Sequence, residues 1–244
     1  ECGYLLGFHY PDLVDGKKAI QVAYHLQLAS SCAIANYRKY NQNPKGRIGI
    51  ILNVTPVYPA TDNIEDIKAT EMADLWQNRF FLDASVKGQF PKDFVELLVK
   101  EGIIWNSNVE DLACIQNNTI DILGINYYHP NRVREPEYSS DSLAQDWRPD
   151  KYYASYQKRG VRMNADRGWE IHPQTLYAIA KRLQNDYGNL PWFVSENGIG
   201  VENEERFKDA DNMICDDYRI IFMTEHLFWL YKAIEEGANC LGYH

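Results

Sequence analysis

The sequence predicts an α/β fold organised as a (β/α)8 barrel, and three observations lead there. Helical and strand-like segments alternate along the 244 residues. The strand-like runs are short and almost uninterruptedly apolar, as expected of strands covered on both faces in a parallel sheet. Polar residues able to do chemistry stand where those runs end, and that is where a barrel assembles its site. A doubly wound open sheet is the competing architecture. It calls for a phosphate-cradling glycine-rich turn after an early strand, and neither G-x-G-x-x-G nor a Walker A sequence occurs.

After an opening loop over 3–16, the segment 17–40 carries Ala19, Ile20, Ala23, Leu26, Ala33 and Ile34 at helical spacing, with no Gly or Pro inside, and predicts a helix. Residues 46–54, GRIGIILNV, form a β-branched run between Lys45-Gly46 and Pro56, long enough for a buried strand and too short for a helix. Segments 64–86 and 91–102 have helical patterns, and 119–128, TIDILGINYY, reads as a second buried strand. The polar, aromatic-rich stretch 129–168 is too long for an ordinary connection and predicts a functional loop. A helix over 174–188, closed by Gly188, leads into a third strand, LPWFVSENG. A last helix over 216–237 ends at Gly237, and ANCLGYH begins a fourth strand. With no fixed-period repeat and no low-complexity linker, one domain over 1–244 is expected.

A formal net charge of −9 and a pI near 5.2, with no Lys/Arg cluster, argue against nucleic acid as a partner. No window approaches a membrane span and no charged-then-apolar leader opens the chain, so the expected setting is cytoplasmic, away from membranes. Cys2, Cys32, Cys114, Cys215 and Cys240 are widely spaced and odd in number, which predicts reduced, mostly buried thiols. The six histidines show no ligand spacing, so neither a metal nor a cofactor is expected. The 17 Tyr, 9 Phe and 6 Trp exceed what packing alone calls for and suit a cleft that meets the apolar faces of sugar rings.

Asn53, Asn126 with Tyr128, and Glu196 with Asn197 mark three strand ends. In PWFVSENGIG, Glu196 is either a solvated loop acid beside a turn-forming Asn-Gly or a catalytic carboxylate. Taken in order, GYLLGFHYP, IGIILNVTPVYPAT, RFFLDASVKGQFP, DILGINYYHP, RGWEIHP, VSENGIG and GANCLGYH resemble glycoside hydrolase family one, the β-glucosidase and 6-phospho-β-glucosidase family, over essentially the whole chain. Ser-Glu-Asn-Gly is similar to that family's nucleophile motif.

The resemblance implies retaining hydrolysis of a β-glycoside, with Glu196 as nucleophile, Asn126 positioning the sugar or the nucleophile, and Trp169 as an aromatic platform for the leaving group. Tyr128 is the expected hydrogen-bond donor to Glu196, because residues two apart on one strand share a face and the neighbouring strand end delivers the carboxylate. Glu170 is expected to be structural. The family's acid/base glutamate, in an Asn-Glu-Pro motif, is expected upstream of Glu1, so the four strands correspond to barrel strands five to eight and the chain alone is expected to be inactive. The opening run and GANCLGYH look closer to bacterial 6-phospho-β-glucosidases, whose phosphate-selecting Ser, Lys and Tyr are expected beyond His244. Expected partners are therefore small β-glycosides or 6-phospho-β-glycosides, with self-association open. Three alternatives stand beside this reading: a glycosidase for unphosphorylated sugars, a binding scaffold without turnover, and a different barrel enzyme in which Glu196 is a general base and takes no covalent sugar.

Overall fold

The computed structural model describes residues 2–137 and 147–244. Helix α1 (Gly16–Tyr40) starts where Asp15 accepts a hydrogen bond from Lys18 N at 2.9 Å, an N-cap that relieves one of the first turn's unpaired amides. Strands β1 (Gly49–Asn53) and β2 (Val57–Pro59) follow. The segment expected as one helix over 64–86 consists of α2 (Ile64–Asp74), a π-helical turn (Leu75–Arg79) and α3 (Phe80–Lys87), running on without a break. Next come α4 (Lys92–Lys100) and α5 (Val109–Asn117), the latter not anticipated from sequence. Strand β3 (Ile122–Asn126) ends before Tyr127 and Tyr128, two residues earlier than expected. The long stretch 129–168 contains β4 (Asn131–Arg134), a 3-10 turn (Pro149–Lys151), β5 (Ala154–Ser155) and β6 (Met163–Asn164), while its residues 138–146 lie outside the described set, as does Glu1. Strand β7 (Trp169–Glu170), α6 (Gln174–Asp186), β8 (Trp192–Glu196), a 3-10 turn (Glu204–Phe207), α7 (Asp217–Glu235) and β9 (Cys240–Tyr243) complete the chain.

The chain forms two compact units and passes between them several times: Glu1–Ile50, Val57–Asp121 and Arg132–Tyr156 make the first, and Ile51–Pro56, Ile122–Asn131 and Gln157–His244 the second. The first is helical around an aromatic-rich core of Ile20, Tyr24, Phe80, Phe94, Trp105 and Trp147, with Tyr24 stacked on Trp105 at 5.3 Å. Burial of rings this large contributes on the order of 2 kcal/mol each, so packing takes up part of the chain's aromatic content.

The second unit is built on a four-stranded sheet in the order β1-β3-β8-β9, with β3–β8 and β8–β9 parallel. Leu123, Ile125, Trp192 and Val194 are fully buried in it. Gly124 is required by crowding, since a Cβ there would lie 2.7 Å from Ile51 and 3.1 Å from Phe193. Strand β1, expected to be buried, instead alternates exposed and half-buried residues, because it is an outer strand with β3 as its neighbour on one side.

The cysteines are free, as expected, but none is buried: Cys32 and Cys215 are exposed and the other three half-exposed. Cys32 on α1 faces Cys114 on α5 with 3.4 Å between sulfurs, so these two thiols sit in a surface seam between helices and not in the core. Among the described residues no helix is long and apolar enough to cross a membrane.

Candidate active site

Parallel strands β3 and β8 bring the named polar residues together at their C-terminal ends. Their register runs Leu123 with Trp192, Gly124 with Phe193 and Ile125 with Val194, and then shifts so that Asn126 lies beside Glu196. Ser195 is the extra residue of this bulge, and its Oγ donates to Asn126 Oδ1 at 2.7 Å. Bulges of this kind re-aim side chains at strand ends. Here the shift turns the exposed Glu196 carboxylate toward the segment leaving β3, where Tyr128 Oη donates to Glu196 Oε2. Tyr127 N also donates to Glu196 O at 2.9 Å, which holds the two strand ends at one level.

Tyr128 has its hydroxyl pushed up to about 12, first by the hydrogen bond it gives Glu196 and then by burial. It therefore stays protonated and remains a donor throughout the neutral range, while Glu196 is the acceptor.

A second chain of contacts steadies the residue after Glu196. Asn197 Nδ2 donates to Tyr127 O at 2.7 Å, and Tyr243 Oη on β9 donates to Asn197 Oδ1 at 2.8 Å. Tyr127, fully buried, donates its own hydroxyl to His172 O at 2.9 Å. Trp169, half-buried on the β6–β7 hairpin, stacks on His129 with 4.9 Å between ring centres and leans on Tyr128 at 5.7 Å. Glu196, Tyr128, Trp169 and His129 thus form one connected cluster. Asn126 borders it with its oxygen committed to Ser195. Glu170, beside Trp169, is buried and paired with Met163 in the hairpin, in line with its expected structural place.

Sequence reasoning did not find His129, Ser195, Tyr243 or His172. The first two were adjacent to named residues, but their contacts depend on the bulge and the hairpin. Tyr243 lay in plain view within GANCLGYH, with no chemical signal to separate it from the other 16 tyrosines. Among the described residues no group of three or more His, Cys, Asp and Glu could hold a metal ion.

Chemically, the arrangement offers a solvent-accessible carboxylate with one oxygen clamped by a phenol, a neighbouring asparagine, and an indole face a short distance away. It is suited to attack on an electrophilic carbon in a ring that an aromatic face can support.

Comparison with known proteins bears on this chemistry. The model for glycosyl hydrolase family 1 matches residues 1–244. The chain is 50% identical over 244 residues to a 6-phospho-beta-glucosidase, GmuD, of Bacillus subtilis (strain 168), covering 100% of this chain and 52% of the relative. It is 29% identical over 242 residues to Beta-glucosidase A of Acetivibrio thermocellus, covering 99% of this chain and 51% of the relative. In structure it matches the beta-glucosidase from Thermotoga maritima in complex with castanospermine with a TM-score of 0.82 and 27% identity, over 99% of this chain and 50% of that one. The GH1 beta-glucosidase from Exiguobacterium antarcticum B7 matches with a TM-score of 0.82 and 31% identity, over 99% of this chain and 51% of that one. The chain spans about half the length of the curated relatives it matches.

Proposed function

The chain belongs to glycosyl hydrolase family 1 and is an α/β portion of that family's TIM barrel, and we propose that the protein is a retaining β-glycoside hydrolase acting on 6-phospho-β-glucosides. Glu196 is its nucleophile. The observation that carries this reading is the hydrogen bond from Tyr128 to Glu196 at the C-terminal ends of two neighbouring parallel strands. In the first step a Glu196 oxygen attacks the anomeric carbon as the glycosidic C–O bond breaks, and a second carboxylic acid about 5–5.5 Å away gives its proton to the departing oxygen. In the second step that group, now a carboxylate, takes a proton from water, which displaces Glu196 and releases the sugar. Tyr128 orients the attacking carboxylate, Asn126 borders the sugar, and Trp169 supports the leaving group. The setting is cytoplasmic, and the sugar arrives already phosphorylated.

Two experiments test this. A 2-deoxy-2-fluoro glycoside with a good leaving group should leave a covalent sugar on the peptide containing Glu196, and Glu196→Gln should lose several powers of ten in rate with its fold intact. An adduct on another peptide in an active preparation sinks the nucleophile assignment. For the substrate, kcat/KM on p-nitrophenyl β-glucoside is compared with that on its 6-phosphate. The 50% identity to a 6-phospho-beta-glucosidase favours the phosphorylated compound. The likeness to Beta-glucosidase A favours a second reading, hydrolysis of unphosphorylated β-glucosides, which a preference for the plain compound would establish while leaving Glu196 in its role.

A further inference from the structure

The hairpin that carries Trp169 is bonded repeatedly to the segment that follows the Glu196 strand. Strands β6 and β7 pair Asn164 with Trp169 and Met163 with Glu170, and Asn164 O accepts from Gly168 N at 2.8 Å to close the turn. Asn164 is 6% exposed, and its side chain reaches out of the hairpin: Nδ2 donates to Gly200 O at 2.8 Å, while Oδ1 accepts from Asp166 N at 3.2 Å. Asp166 makes the second tie. Its Oδ2 accepts from Glu202 N at 2.9 Å and from the Arg206 guanidinium at 2.7 Å. Arg167 makes the third, lying so close over Gly200 that a Cβ there would meet its Nε at 2.8 Å, and pairing with Glu202 at 3.5 Å. The tied segment begins only four positions after Glu196.

The bond from Asp166 N to Asn164 Oδ1 lies within the β6–β7 turn, but those to Gly200, Glu202 and Arg206 reach outside it and do more than the hairpin needs for its own stability. They fix the spacing between the strap over 198–206 and the indole over the site. Building on the reading of Glu196 and Trp169 given above, we propose that Asp166 and Asn164 are positioning residues that hold the Trp169 platform at a set distance from the nucleophile and thereby set the preference for the leaving group. Neither touches the reacting atoms. A loosened tie lets the indole drift, and a displacement of an ångström at such a platform weakens binding of a bulky leaving group more than it slows bond breaking at the anomeric carbon.

The experiment uses the full-length enzyme and compares a disaccharide 6-phosphate with p-nitrophenyl β-glucoside 6-phosphate, or their unphosphorylated counterparts if those are preferred. Asp166→Ala should raise KM for the disaccharide on the order of five- to tenfold with kcat within about twofold, and change the aryl glycoside less. Asp166→Asn, which keeps an acceptor for Glu202 N but loses the charge facing Arg206, should recover part of the difference. In the Trp169→Ala background the Asp166→Ala change should add almost nothing, because a residue acting through the indole has nothing left to act on. Gly200→Ala, whose added Cβ would meet Arg167 Nε at 2.8 Å, should give the same KM split and replaces Asp166→Ala should that variant fold poorly. Equal losses on both substrates, or full additivity with Trp169→Ala, overturn the proposal. The underlying reading fails separately: it falls if the fluoro sugar labels a peptide without Glu196, or if Trp169→Ala alone leaves both KM values unchanged.

Discussion

Glu196 shows how a single acid among the 34 Asp and Glu of this chain becomes distinctive. Many carboxylates here are answered by arginine or lysine, as Glu225 is by Arg162, whose hydrogen bonds hold the carboxyl below its ordinary range. Glu196 is answered by a phenol. A cation would stabilise the charge but also blunt its attack, whereas a neutral donor orients the carboxylate and leaves it free to share its charge with a forming bond. Tyr128→Phe removes that donor. A hydrogen bond to a charged group is worth about 1.5–3 kcal/mol, so kcat/KM should fall by roughly 10- to 150-fold in the full-length enzyme. A kcat/KM within about twofold of the parent's would remove Tyr128 from this role. The acid at a strand end was legible in the sequence, and the resemblance singled it out; Tyr128 reaches it from beyond the end of β3, not from a shared strand face. The support around it was not legible. Ser195 reaches Asn126 because of a register shift, and Tyr243 reaches Asn197 across strands, and neither relation leaves a periodic trace.

At the scale of elements, most helices and the four main strands were readable from spacing, and the misses have physical causes. Helix α5 is nine residues long, too short to repeat an apolar period convincingly, although Asn108 as its cap and Glu110 with Asp111 in its first turn were usable start signals. The pairs β4–β5 and β6–β7 are two to four residues long and owe their form to partners that sequence does not identify. Helix α7 was legible as a helix, but not for what it buries. His226 lies fully buried on it, donating Nδ1 to Phe222 O at 2.7 Å and stacking on the Phe222 ring at 3.9 Å, while Nε2 has no hydrogen-bond partner among the described residues. Burial pushes the ring's pKa down to about 4, against the opposing pull of the Phe222 carbonyl and Glu225. The folded state therefore holds a neutral imidazole that the unfolded chain protonates below about pH 6.5. The stability it contributes is present above that value and is lost as pH falls toward about 4, by an amount on the order of 3 kcal/mol. In the full-length enzyme, His226→Gln should flatten the fall in melting temperature between about pH 7 and about pH 4.5 relative to the parent. Parallel slopes would mean that the imidazole is protonated in the fold.

The whole chain, taken by itself, carries two kinds of unsatisfied surface. In the sheet order β1-β3-β8-β9 the strands β1 and β9 each have a single strand neighbour, and a closed barrel of this family needs twice as many strands. Helix α7 buries Phe222, His226, Leu230 and Ala233 on one side, yet exposes Ile220, Ile221, Phe228 and Tyr231 at 54–60% on others. A helix apolar on most of its faces needs covering on more than one side. Open edges and bare apolar faces both drive association, one through backbone hydrogen bonds and the other through burial of area. The proposed chemistry points the same way, because retaining hydrolysis would need a second carboxyl about 5–5.5 Å from Glu196, beyond the one carboxylate in the cluster of Glu196, Tyr128, Trp169 and His129. The 28.3 kDa chain expressed alone should therefore sediment as multiples of its own mass and show no turnover of either p-nitrophenyl β-glucoside or its 6-phosphate. Light scattering on a sizing column and a direct assay check the two halves of this prediction. A monodisperse monomer would show that the edges and α7 are protected within the chain, and turnover from that monomer would mean that it supplies its own acid.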